Sequence, residues 1–439
     1  MRKNKRKVAM GVLLAGSLLT ACTTGGTSTT GTGATGTTAE GTQSETKAGE
    51  ATRPEGTQTG VGTKLLPPVE SNDPNTDFEP AWAGQTRAPG LQTEAAFTVT
   101  VMAEGLNEPW AIAVLPDGRF AVTQKSGDMV LVSGDGTVSR PVTGFPAVES
   151  SSQGGLLDIL PAPDFQNSRR LYFTLSELTD EGALTALGQG RLSEDESEIE
   201  DFTIMYRAIP YYGGSNHYGS RLDFDQEGNL IMTTGDRQSR ETRDMAQGLD
   251  NGLGKILRIT TEGQPAEGNP FLDDAEALPE IYSYGHRNVQ GVAVHPETGE
   301  IWISEMGPQG GDELNHIKAG LNYGWPVISY GEEYGGAPIG DRIAVMDGME
   351  QPRYYWDPVV APAGMVFYEG DVIPEWENSL FIAALRGQHI LRLVLDDQDV
   401  IGEERLLVDE RERFRDITEG ADGALYAITD SGLLYRVGP

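Results

Sequence analysis

Histidine is scarce in this chain, five in 439 residues, and one of them sits where chemistry is possible. His217 lies in Gly213-Gly214-Ser215-Asn216-His217-Tyr218-Gly219, a small-residue loop of the kind that lets backbone approach a ligand. A neutral imidazole, with an ordinary pKa of about 6.5, suits proton removal near neutrality. A loop histidine taken alone is more often structural. Asp236 ends the apolar run 230–234 in Thr234-Gly235-Asp236; it reads as a turn former or as the carboxylate that orients such a base. Arg287 and Asn288 share a tight turn, Gly285-His286-Arg287-Asn288. Arg287 reads equally as a surface charge or as a donor aimed at developing negative charge. Arg386, Arg413 and Arg415 offer planar forks that match carboxylates. Arg413 and Arg415 are two apart and share a face on a strand, although Arg411-Glu412-Arg413 by itself reads as a solvated charge run. Gly307-Pro308-Gln309-Gly310-Gly311-Asp312-Glu313, followed by Asn322-Tyr323-Gly324-Trp325-Pro326, lacks EF-hand spacing but has the carbonyls and carboxylates a hard cation uses. The chemistry on offer is proton removal by an oriented imidazole beside a bound anion and a cation.

These residues need a frame. From residue 97 onward, helical periodicity is weak and short apolar runs alternate with Gly, Asp and Pro. A strand, a tight turn and a second strand recur six times. The copies cover residues 110–122 around Asp117-Gly118, 155–174 around Asn167-Ser168 and 221–233 around Glu227-Gly228. The others cover 289–304 around Thr298-Gly299, 363–383 around Glu377-Asn378 and 416–428 around Asp422-Gly423. Most have a further apolar run beyond, such as 129–132, 255–259, 390–395 and 433–437. Recurrence at roughly 50 residues predicts an all-β fold, a six-bladed propeller, with the longer spacers of the middle copies as functional loops on one face. Residues 97–102 are expected to pair with 433–437 and close the ring, which removes open sheet edges.

The ordered set of segments, joined by Gln153-Gly154-Gly155-Leu156-Leu157, resembles the soluble aldose sugar dehydrogenases that use pyrroloquinoline quinone (PQQ), the glucose/sorbosone dehydrogenase family. The resemblance runs from about residue 97 to the C-terminus. It implies oxidation of an aldose at C1 by hydride transfer to PQQ, with His217 as general base, Asp236 fixing its tautomer and Arg287 donating to the quinone carbonyl. It implies that Asn288, Arg386, Arg413 and Arg415 bind the cofactor; relatives often carry Lys where this chain has Arg386. Gln153 would contact the sugar. Carbonyls at Gly307 and Pro308 would hold calcium that touches PQQ, and Asp312, Glu313 and Tyr323 a second calcium nearby. Residues 237–242 do not match the family's sugar pocket, which leaves the sugar open, as are the electron acceptor (a quinone or cytochrome) and the oligomer. Two other readings fit a propeller: a calcium-dependent sugar lactonase and a non-catalytic surface binding module. Neither needs His217, Asp236 and the arginines together. No Gly-x-Gly-x-x-Gly nucleotide fingerprint opens a βαβ unit.

Residues 1–21 combine a basic start (Arg2, Lys3, Lys5, Arg6, Lys7) with the apolar run 8–19 and then Leu19-Thr20-Ala21-Cys22. This reads as a signal peptide ending in a bacterial lipobox, with the only cysteine, Cys22, as the acylated anchor. Residues 22–90 are expected to form a low-complexity tether. Its Thr/Gly-rich part to residue 62 is flexible, and residues 63–90, with Phe78 and Trp82, pack loosely on the domain 91–439. Loss of residues 1–21 removes five basic and no acidic residues, taking the formal charge from −33 to −38. That charge excludes nucleic acid and electrostatic attraction to anionic lipid, so membrane attachment at the cell envelope falls to acyl chains. It also means that arginines clustered in motifs need a local anionic partner.

Overall fold

Each of the six strand–turn–strand copies forms the inner two strands of one blade in the computed structural model, which describes residues 65–439. The innermost strands are Pro109–Val114, Leu156–Pro161, Gly219–Phe224, Val289–Val294, Pro362–Phe367 and Phe414–Glu419. Each packs beside the next around a ring, and the sixth packs beside the first. Blades 2 to 6 have four strands; blade 1 has three, extended by single bridges Val132–Val138 and Met129–Val142. The fourth strand of blade 6 is Thr98–Ala103, which pairs Val99 with Val437, Thr100 with Arg436 and Val101 with Tyr435. The first and last strands thus share one sheet and close the ring as expected. The architecture is a six-bladed β-propeller with almost no helix among the described residues.

Hydroxyl groups join successive blades. Thr123 accepts the amide of Ala111 in its own blade at 3.1 Å and donates to the Leu157 carbonyl of the next at 2.5 Å. Thr174 does the same between Asp158 N and Ser220 O, and Thr233 between Arg221 N and Val289 O. Ser304 donates to Ala363 O at 3.0 Å. Blades 5 and 6 carry Ala383 and Ile428 at the matching position. Aspartates make a second kind of link: Asp416 accepts the Ile112 amide at 2.9 Å and joins blade 6 to blade 1, as Asp158 accepts the Leu222 amide at 2.6 Å between blades 2 and 3. Each such bond is worth about 0.5–1.5 kcal/mol net. Apolar clusters fill the gaps between blades; one combines Trp302, Trp356, Phe367 and Leu391 from blades 4 and 5.

Residues 65–90, expected as the end of the tether and to pack loosely on the domain, are seated on the outer strands of blades 4 and 5. Leu66 bridges Gly90, Gly90 bridges Glu403, and Gln85 and Ala88 are buried. Their turn-rich composition hid this because the partners are side chains and carbonyls of the propeller rather than a strand ladder. The expected signal peptide, Cys22 and the tether up to residue 64 lie outside the described residues.

Candidate active site

Antiparallel alternation decides where the singled-out residues go. Each either precedes an innermost strand or follows the end of the strand after it, so all lie at one end of the ring. His217 precedes Gly219–Phe224, Asp236 follows Leu230–Thr234, and Arg287 and Asn288 precede Val289–Val294. Gly307 follows Ile301–Glu305, Arg386 follows Leu380–Ala384, and Arg413 and Arg415 open the sixth innermost strand.

His217 is the best-defined group. Its Nδ1 lies 2.7 Å from Asp236 Oδ1, with both side chains buried. Its backbone is in the left-handed region, φ +47°, uncommon for a residue with a side chain. It is held there by Gln153, whose Oε1 accepts the His217 amide at 2.8 Å. Gln153 therefore braces the base from the backbone side. Gly235 is required for the approach: a Cβ there would lie 2.3 Å from His217 O and 3.0 Å from Asn288 Oδ1. Asp236 is tied to Arg287 through its own amide, which donates to Arg287 O at 2.8 Å. Burial and the charge of Arg287 hold the imidazole below its ordinary range, against the pull of Asp236. Burial pushes the Asp236 carboxyl up, but His217, Arg287 and the Gln238 amide outweigh it and keep it below the usual carboxylate range. Near neutrality the pair is therefore neutral imidazole and carboxylate. Among the described residues, Nε2 has no protein partner.

Two residues with no role assigned from sequence complete this arrangement. Trp325 donates its indole N–H to Asp236 Oδ2 at 2.8 Å. Asp430, placed after the strand Leu425–Thr429 much as Asp236 follows its own, accepts from Arg413 Nε and Arg415 Nε, each at 2.8 Å. That repeat of a strand-end aspartate was the available signal. Arg386 is exposed beside them, and its guanidinium has no protein partner among the described residues. Asn288 Oδ1 accepts the Gly219 amide at 3.2 Å, which leaves its Nδ2 facing only the Met306 sulfur at 3.9 Å.

The cation region departs from expectation in its side chains. Asp312 accepts three backbone amides, from Gly307 at 2.7 Å, Val360 at 2.8 Å and Ala361 at 2.6 Å, so its carboxylate braces the loop. The Tyr323 hydroxyl donates to His316 O and accepts the Lys318 amide, which leaves only its main chain for an ion. The other oxygens here are the Pro308 carbonyl, the Gly307 carbonyl, which already accepts one bond from Arg287, Glu313, and Glu305, which sequence reasoning missed. Glu305 and Glu313 are neighbours, both raised chiefly by burial, Glu305 to about 7 against the Arg287 amide and charge, and Glu313 further by the charge of Glu305. They face a cavity of about 10 Å³, also lined by Gly307, Gly311, Tyr323 and Trp325, room for one water or ion. Among the described residues no three His, Cys, Asp or Glu converge as metal ligands. A cation here therefore depends on main-chain oxygens, as calcium often does. Arg287 Nη1 donates to Met306 O and Gly307 O at 2.8 and 2.7 Å.

The sequence and the fold match a known set of proteins. The family model described as glucose/sorbosone dehydrogenase matches residues 106–436. The chain belongs to that family. It is 41% identical over 350 residues to the aldose sugar dehydrogenase YliI of Escherichia coli K12, covering 79% of this chain and 94% of that one. The crystal structure of the soluble aldose sugar dehydrogenase from Escherichia coli in the apo form superimposes with a TM-score of 0.75 at 39% identity, over 78% of this chain and all of that one. The PQQ-bound aldose sugar dehydrogenase of Streptomyces coelicolor does so with a TM-score of 0.65 at 28% identity, over 79% of this chain and 99% of that one. As a sugar dehydrogenase the chain is an oxidoreductase, and the readings as a lactonase or a binding module lapse.

Proposed function

We propose that the protein oxidises aldose sugars at C1 to the lactone, using PQQ held with calcium. The observation that carries this is the buried His217–Asp236 pair, bonded at 2.7 Å, at the same end of the ring as two arginines locked by Asp430. Bound PQQ supplies the two-electron acceptor. His217 Nε2 takes the proton of the anomeric hydroxyl as hydride leaves C1. Asp236 keeps the other ring proton on Nδ1 and stabilises the imidazolium that forms, the logic of a Ser-His-Asp site. Trp325 fixes the carboxylate from its far side.

Asp430 engages the Nε atoms of Arg413 and Arg415, which leaves their terminal N–H groups for carboxylates of the cofactor, with exposed Arg386 beside them. Arg287 and Asn288 face the reacting end, and Gln153 supports the base there. Gly307, Pro308, Glu313 and the main chain of Tyr323, with Glu305, would hold calcium, and Asp312 keeps their loop in place. The PQQ-bound Streptomyces relative supports the cofactor assignment. A quinone or cytochrome would serve as the electron acceptor, with the enzyme anchored at the cell envelope through Cys22.

Purified protein, supplied with PQQ, calcium and an artificial dye, should oxidise members of an aldose panel and be inactive with NAD or flavin. No PQQ-dependent activity on any aldose would overturn the reading. Cys22→Ala should move the protein from the membrane to the soluble fraction, and unchanged attachment would remove the anchor.

A further inference from the structure

The strap 65–90 precedes the family model, which begins at residue 106, yet its contacts converge on the floor of the site. Asn75 N donates to Asp357 Oδ1 at 2.7 Å, and Thr76 N donates to Oδ2 at 3.0 Å. The Thr76 hydroxyl is shared between Asp357 Oδ2 at 2.8 Å and Tyr330 O at 3.0 Å. Arg87 ties the strap to itself and to Asp357: Nη1 reaches Glu70 O, and Nη2 reaches Asn72 O and Asp357 O, all at 2.8–3.0 Å. Phe78 packs edge-on against Tyr330 at 6.2 Å, and Gln85 Oε1 accepts the Tyr330 hydroxyl at 3.1 Å.

Asp357 and Tyr330 each turn a second side to the loop 307–313. A Cβ on Gly310 would lie 3.0 Å from Asp357 Oδ1, and one on Gly311 would lie 2.9 Å from Tyr330 C. The Gly311 amide donates to Trp356 O at 3.1 Å. Gln309 and Glu332 exchange both backbone bonds, at 2.9 and 3.0 Å. Further along the same segment, Glu333 holds Arg243 at 2.7 Å, and that guanidinium lies 5.3 Å over Trp325.

The chain between Ile317 and Tyr354 forms no strand. A connection longer than about 12–15 residues without structure of its own is costly to order, and this one walls the site. We propose that residues 65–90 are a clasp that fixes the loop 307–313 and the segment 328–333 through Asp357 and Tyr330. On the function proposed above, it would set how tightly calcium and quinone bind. The strap is then a positioning element, outside the residues the family model matches, that acts through two residues rather than by touching a ligand.

Hydrogen exchange on the full chain, without cofactor, tests the clasp directly. Thr76→Val removes the hydroxyl bonds and leaves the backbone. Amides of 307–313 and 328–333 should exchange several-fold to about tenfold faster, as expected for one or two lost bonds, with amides of Gly219–Phe224 and Leu230–Thr234 unchanged. Thr76→Ser should restore the wild-type rates. Unchanged exchange at 307–313, or equal acceleration in every blade, overturns the clasp. In parallel, Thr76→Val should weaken PQQ binding measured by absorbance titration with calcium while leaving kcat at saturation intact. If wild-type protein binds no PQQ, the functional reading fails, and the exchange rates still decide the clasp.

Discussion

Among the buried arginines of the described residues, Arg221 and Arg287 are spent differently. Arg221, in the channel below the site, uses every nitrogen: Nε on Gln290 O at 2.7 Å, Nη1 between Asp158 at 3.3 Å and Asp416 at 2.9 Å, and Nη2 on Arg415 O at 3.1 Å. Its guanidinium also covers the Trp110 ring at 4.2 Å. Burial pushes both aspartates above the usual range, Asp158 to about 7, against the opposing charge of Arg221. Arg287, at the open end, uses Nη1 alone for side-chain bonds to carbonyls and leaves Nε buried without a partner. His217 is likewise bonded at one ring nitrogen only. Residue types do not distinguish a structural charge from a working one; unspent donors and acceptors do. Arg221 ties its own blade to three others, and Arg287 and His217 wait for something else.

If that distinction is right, damage at the two ends should be read by different instruments. The largest effect belongs to His217. His217→Gln should lower kcat about 10²- to 10⁴-fold with PQQ binding and unfolding temperature little changed. Near-normal kcat with saturating PQQ and calcium would remove it as the base. Arg221→Met comes next and should do the reverse. It leaves two buried carboxylates without their cation, a loss of about 3–5 kcal/mol of stability, and Asp158→Asn with Asp416→Asn in the same chain should recover most of it. An Arg221→Met protein as stable as wild type, but slow, would erase the distinction.

Arg413 and Arg415 fall between the two ends, since Asp430 uses only one nitrogen of each. Arg413→Ala or Arg415→Ala should cost roughly 1.5–3 kcal/mol of PQQ binding and be partly rescued by excess cofactor. Arg287→Ala should lower kcat and not be rescued, because the group it faces gains charge only during reaction. Equal rescue of all three variants would mean that Arg287 merely binds.

The comparison also shows what sequence can and cannot carry. The blades were legible because a strand, a turn such as Asp117-Gly118 and a returning strand are local, and six repetitions left little choice of fold. His217 and Asp236 were legible through an ordered motif. What failed was long-range: Asn75 meets a carboxylate at residue 357, so residues 65–90 looked like tether. Asp312 and Tyr323 were named as cation ligands through the family resemblance, yet backbone amides and carbonyls already occupy the Asp312 carboxylate and the Tyr323 hydroxyl. Asp430, Glu305 and the role of Trp325 depend on which side chains face one another across blades, and spacing along the chain does not encode that.

The smallest effect tests the most indirect member of the open end. Trp325→Phe keeps the ring but removes the N–H that Asp236 Oδ2 accepts. The carboxylate, one donor poorer, becomes more basic and holds an imidazolium more firmly. Burial and Arg287 now depress His217, so wild-type kcat/KM should stay level down to pH values below about 6.5, the ordinary imidazole value, and fall only as the base takes a proton. The same depression makes the folded state lose stability as pH drops below about 6.5, because the unfolded chain then binds the proton first. In Trp325→Phe the acid limb should move upward, toward about 6.5, and kcat at its plateau should fall several-fold, in keeping with one bond worth about 1 kcal/mol. A merely structural tryptophan would lower the unfolding temperature and leave the limb where it was. A limb that moves down instead would mean that the indole N–H does not restrain the basicity of Asp236, and the pairing drawn here between the two would fail.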